Sequence, residues 1–86
     1  MYSLEYKPGW DKYFSKMDKS TQLIIWKKIQ KQKVETKTRH LKHGLDYSIV
    51  EAGQYRIAIK INEKEKIKHV HFAGNHKQYE KWFKEQ

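Results

Sequence analysis

The sequence predicts one α+β domain over residues 1–86: a small twisted, mostly antiparallel sheet of about four strands, two N-terminal helices packed on one face, and a short C-terminal helix. Three observations lead there. Apolar residues recur at helical spacing through residues 10–34, alternate with polar ones at period two through residues 55–72, and return to helical spacing at Tyr79, Trp82 and Phe83. Three Trp, six Tyr and three Phe in 86 residues supply one core, and a chain of this size buries roughly 60 to 65% of its unfolded surface. With no cysteine the core must hold by packing alone, which also fits a reducing compartment.

Residues 2–6 alternate Tyr, Leu and Tyr with Ser and Glu, the pattern of a short edge strand, and Pro8-Gly9 closes it. Trp10, Tyr13, Phe14 and Met17 keep the i, i+3, i+4, i+7 spacing of one helix face, so a first helix is expected there. Asp18 or Ser20 is placed to cap a second, whose stripe is Leu23, Ile25, Trp26, Ile29 and Val34, with Trp10 and Trp26 expected in the core. Residues 36–45 have no helical period and read as a basic loop. Strands follow at 46–51 and 54–62, joined by a tight turn at Ala52-Gly53. In the second of them Tyr55, Ile57, Ile59 and Ile61 face the helices, while Arg56, Ala58 and Lys60 line a free face. The last strand, 66–72, sets Val70 and Phe72 opposite His69 and His71. Gly74 and Asn75 then break it, and a helix starts near His76.

Nineteen Lys and Arg against ten Asp and Glu give a net charge of +9, an excess that attracts a polyanion or simply keeps a lysine-rich surface soluble. The run Lys27, Lys28, Lys31 and Lys33 fits a solvated helix face first and an RNA contact second. No leader pattern opens the sequence and its longest apolar run, residues 23–26, is too short to span a bilayer, so a cytoplasmic protein without membrane contact is expected.

The chemistry-bearing residues concentrate in the second half. Both arginines and all five histidines lie within residues 39–76, and a chain that otherwise uses lysine thus keeps its two rigid, two-pronged cations for this stretch. His69-x-His71 invites a metal reading, but a catalytic site needs a third ligand, which here only Glu51 or His76 could offer. No serine stands at a strand-to-helix elbow, and four scattered glycines make no phosphate loop. Fixed cations, imidazoles, a carboxylate and aromatics together suit a phosphodiester site that needs neither metal nor small-molecule cofactor.

Three segments, Arg39-His-Leu-Lys-His43-Gly-Leu, Gly53-Gln-Tyr-Arg56-Ile and Gly74-Asn-His76-Lys-Gln-Tyr79, in this order and spacing, resemble the RelE/ParE toxin superfamily, in particular its RelE and YoeB-like branch of ribosome-dependent messenger-RNA nucleases. The resemblance implies a type II toxin that cuts mRNA in the ribosomal A site by attack of a ribose 2′-OH, with a cognate antitoxin as its partner. It implies that Arg56 stabilises the scissile phosphate, that His76 donates a proton or binds phosphate, and that Tyr79, or Trp82 in its place, meets the substrate. Arg39, Lys42, Lys60 and Lys77 become the RNA- and phosphate-binding set. Where the YoeB-like branch has a carboxylate this chain has Arg39, so the general base stays open among Glu51, His43 and His40. A ParE-like gyrase inhibitor, or a relic that binds RNA or antitoxin without turnover, is the alternative on the same fold.

Overall fold

In the computed structural model, which describes residues 1–35 and 47–86, the chain runs β1 (Ser3–Tyr6), α1 (Lys19–Lys31), β2 (Ser48–Ala52), β3 (Tyr55–Asn62), β4 (Ile67–Asn75) and α2 (His76–Lys84). The four strands form one sheet in the order β1-β4-β3-β2. β2–β3 and β3–β4 are antiparallel, and β1 joins β4 in parallel as the expected edge.

Alternation along β3 builds two cores. Ile57 and Ile59 turn to one face, where they meet Val70 and Ala73 of β4 and Ile25 and Ile29 of α1. Ala58 turns to the other, where it meets Phe72, Tyr47 and Tyr79. The face expected to be free is therefore partly roofed by α2, through Tyr79 with Trp82 and Phe83 beside it. The helices lie on opposite faces of the sheet. Period two separates the faces of a strand but does not say which of them a later helix covers.

The first expected helix is not one. Residues 8–17 form successive turns with one 3₁₀ turn at Phe14–Lys16, the amides of Trp10 and Lys12 bonding three residues back to Lys7 and Gly9. A segment this short, opened by Gly9 at φ +87° and stopped at Asp18, is below the length at which a helix repays its nucleation. Its apolar side survives the change, because turns of three residues also bring Trp10, Phe14 and Met17 onto the first core.

α1 starts after Asp18, whose carboxylate accepts from Ser20 Oγ at 2.6 Å. Its stripe is narrower than expected. Ile25 and Ile29 are fully buried, whereas Leu23, Trp26 and Val34 are exposed. Trp26 is thus not core: its ring stacks on Tyr6 at a centroid distance of 6.0 Å, outside the sheet edge, while Trp10 packs partly buried as anticipated.

The hairpin turn falls one residue later than expected, at Gly53-Gln54, with Gly53 at φ +63°. β4 runs three residues beyond Phe72, because Gly74 stays in the ladder opposite Arg56. A Cβ at Gly74 would stand 2.6 Å from Phe72 Cζ and 2.8 Å from Gln78 Oε1, so this glycine answers to packing and not to chain reversal. Among the described residues no helix is long and apolar enough to cross a membrane.

Candidate active site

Arg56 lies in the middle of the sheet, flanked across the ladders by Glu51 on β2 and Gly74 on β4. Cross-strand neighbours share a face, so Glu51 and Arg56 point the same way. On the other flank the place of a Gly74 side chain is taken by Phe72 and Gln78. Arg56 is half-buried, and its guanidinium carbon sits 5.0 Å from the centroid of the Tyr79 ring. That cation–π contact fixes a long side chain that would otherwise sample many rotamers, and adds about 0.5 to 2 kcal/mol.

Tyr79 reaches this position because β4 passes directly into α2. Asn75 is the N-cap. Its side chain accepts from the Gln78 amide at 2.9 Å and its own amide donates to Gln78 Oε1 at 2.9 Å, a reciprocal capping box. The helix therefore begins at a defined angle, with His76 at its first position, Lys77 exposed beside it, and Tyr79 turned inward. Tyr79 is 6% exposed. Burial pushes its hydroxyl above the usual tyrosine range and the Arg56 charge pulls it back, so the phenol is neutral at physiological pH. A ring this buried serves as the platform for Arg56.

His76 is exposed, with Nε2 at 2.5 Å from Glu80 Oε1, one helical turn on. Glu80 was not singled out from the sequence; an i, i+4 pair can be recognised only once the helix start is known. Lys60, four residues along β3 from Arg56, is exposed with its ammonium 4.8 Å from the Tyr47 ring centroid. Trp82 stacks on Phe72 at 5.1 Å and meets Tyr47 edge-on at 4.9 Å, which makes it a wall of the second core. Arg39, His40, Lys42 and His43 lie outside the described residues.

The structure thus sets Arg56 over Tyr79 with Glu51 on the same face one strand away, and pairs His76 with Glu80 at the start of α2: a fixed cation, a carboxylate beside it, and an imidazole held by a second carboxylate. Among the described residues no three His, Asp or Glu side chains converge as a metal site requires.

No family model and no curated protein matches the chain. Solved structures do. The toxin–antitoxin complex RelBE2 from Mycobacterium tuberculosis superposes with a TM-score of 0.74 over 87% of this chain and 98% of that one, at 9% identity. The isolated E. coli RelE toxin gives 0.70 over 99% and 98%, at 15% identity. A metal-bound toxin from Helicobacter pylori gives 0.72 over 91% and 98%, at 19% identity. Strand order, parallel β1 and two helices on a mixed sheet are what such superpositions compare, and on that ground the chain has the fold of the RelE toxins.

Proposed function

We propose that this chain is the toxin of a type II toxin–antitoxin pair and that it cleaves messenger RNA in the ribosomal A site. The observation that carries the reading is Arg56, clamped over Tyr79 on the sheet face and one cross-strand step from the Gly74-Asn75-His76 junction. Solved neighbours that are RelBE complexes support a protein antitoxin as the restraining partner.

The reaction is an internal transfer. A ribose 2′-OH loses its proton and attacks the adjacent phosphorus, the bond to the 5′-oxygen breaks, and that oxygen takes a proton. Products are a 2′,3′-cyclic phosphate and a 5′-hydroxyl. Charge builds on the non-bridging oxygens, and a pre-placed guanidinium stabilises that state more than the ground state, an effect worth about 2.7 to 4 kcal/mol for a single donor. Glu51, on the same face one strand away, accepts the 2′-OH proton, and His76 protonates the departing oxygen. Arg56 supplies the positive charge that the reaction needs, so no metal is assigned to it.

Single-turnover cleavage on programmed ribosomes tests this reading, with RNA binding measured in parallel at fixed salt. Arg56→Ala abolishes cleavage while the protein stays folded. Arg56→Lys, which keeps the charge and loses the planar fork, restores binding far better than cleavage. Cleavage by Arg56→Lys at the parental rate would reduce Arg56 to a counter-charge. A product with a 3′-hydroxyl would overturn the mechanism.

A further inference from the structure

β4 carries one residue more than the stretch of β3 it faces. Ala58 is opposite Phe72 and Ile59 opposite Val70, so His71 is the inserted residue of a bulge. Bulges break alternation and re-aim a side chain. Here the effect is to set His71 on the α2 side of the sheet, edge-on to Tyr47 at a centroid distance of 5.1 Å. His69 and His71 thus come to lie beside two lysines. Lys60 of β3 is the cross-strand neighbour of His69 and reaches over the Tyr47 ring. Lys7 follows β1, its amide donating to the Val70 carbonyl at 2.9 Å, next to His71.

The groups around His71 are therefore Lys7 and Glu5 from the β1 side, Lys60 from β3, His69 from β4, and Tyr47 ahead of β2. Among the described residues the one carboxylate in this group, Glu5, is paired within it: its Oε1 lies 3.5 Å from His69 Nδ1, a buried nitrogen that lacks a hydrogen bond. Burial and the repulsion of Lys60, Lys7 and His69 push His71 down to about 4, so its imidazole is neutral at physiological pH. A cluster in which burial and nearby cations keep one imidazole uncharged has a place that an incoming anion fills.

We propose that Lys7, Lys60, His69 and His71 form a second phosphate subsite, which holds an RNA backbone phosphate remote from the scissile one, and that His71 takes up a proton from solvent as that phosphate arrives. This rests on the reading that RNA lies along the Arg56 face. Arg56 and Lys60 are on the same face of one strand, about 13 Å apart at the usual rise, far enough to hold different phosphates of one strand of RNA. The phosphate cancels the lysine repulsion that kept the imidazole neutral, so binding and protonation are coupled and each favours the other.

The test uses the full chain and a short single-stranded oligouridylate without ribosomes. Affinity is measured from pH 5 to 8 at fixed salt, and the His71 ring is titrated by NMR with and without the oligonucleotide. The His71 midpoint rises by at least one pH unit when RNA is bound, and parental affinity strengthens as pH falls. His71→Gln loses most of that pH dependence. Lys7→Ala, an exposed change that leaves the sheet intact, lowers the slope of log affinity against log salt by about one unit. A His71 ring that stays neutral in the complex, or a His71→Gln variant with the parental pH dependence, overturns the subsite, as does failure to bind the oligonucleotide at low salt. The two readings fail separately. A chain that shows the His71 linkage but cuts no message on ribosomes keeps the subsite and loses the nuclease, and one that cuts without the linkage does the reverse.

Discussion

An imidazole that protonates a leaving oxygen must present its nitrogen in a fixed direction, and the contact between His76 Nε2 and Glu80 provides one by leaving Nδ1 to face a substrate. Both side chains are more than half exposed, so the pair adds little to stability and its value is orientation. We expect His76→Gln to lower single-turnover cleavage roughly 10²- to 10⁴-fold with RNA affinity unchanged, and Glu80→Gln to produce a smaller loss in the same step. Full activity in His76→Gln would pass the proton to another group. Arg56, His76 and Tyr79 were singled out because three short segments, each weak alone, carry a family resemblance in their order and spacing. Glu80 and His71 were not. One depends on where a helix begins and the other on a one-residue insertion in a ladder, and neither leaves a mark in composition or period.

Among the elements, α2 is the one on which the site depends, and its first turn is held by the Asn75–Gln78 capping box. Asn75→Ala removes that lock at a cost of about 0.5 to 2 kcal/mol. The loss should stay local: amides of α2 exchange faster, Tyr79 leaves Arg56, and the amides of β3 keep their protection, all measurable by hydrogen exchange. Equal acceleration in β3 would show that the helix and sheet melt together. The four strands and both helices were readable from period alone, with ends displaced by a few residues. The misread turns at residues 8–17 share their apolar spacing with a helix, and spacing does not report length-dependent cooperativity. Gly74 was taken for a strand breaker because glycine usually is one; the demand made on it by Phe72 and Gln78 comes from residues packed in space.

The two cores meet at the sheet, and the end of β4 away from α2 is fastened by a buried cation. Lys68, fully buried, donates to the Glu35 carbonyl at 2.7 Å and to Gln32 Oε1 at 3.4 Å, with its ammonium 4.4 Å from the centroid of Tyr2. Tyr2 in turn hydrogen-bonds Glu63. One side chain thereby joins the N-terminus, the end of α1 and β4. Lys68→Ala should cost about 2 to 5 kcal/mol, since it opens a cavity and strands a buried carbonyl. Burial holds the Lys68 ammonium below its ordinary value of 10.5, with Glu35 and Glu63 opposing. Across that interval the unfolded chain binds more protons than the folded one, so stability rises with pH until the window closes near the ordinary lysine value. Tyr2, Tyr47 and Tyr79 are shifted upward and act oppositely from about pH 10. Denaturant unfolding as pH rises toward 10 should therefore show a gain in stability that Lys68→Met lacks; an identical slope in both proteins would remove Lys68 as its source.

The place of β4 in the sheet bears on how the chain is made. β1 and β3 are separated by half the sequence, and it is Ile67–Asn75 that joins β1 to the β2–β3 hairpin. A nascent chain that has not yet released those residues holds one hairpin and one helix, with the first strand unpaired and Arg56 without its platform. Such a topology folds late, because distant contacts must close before any of them is rewarded. Synthesis interrupted before β4 thus yields a fragment in which β1 has no strand to join and Arg56 has no Tyr79 beside it.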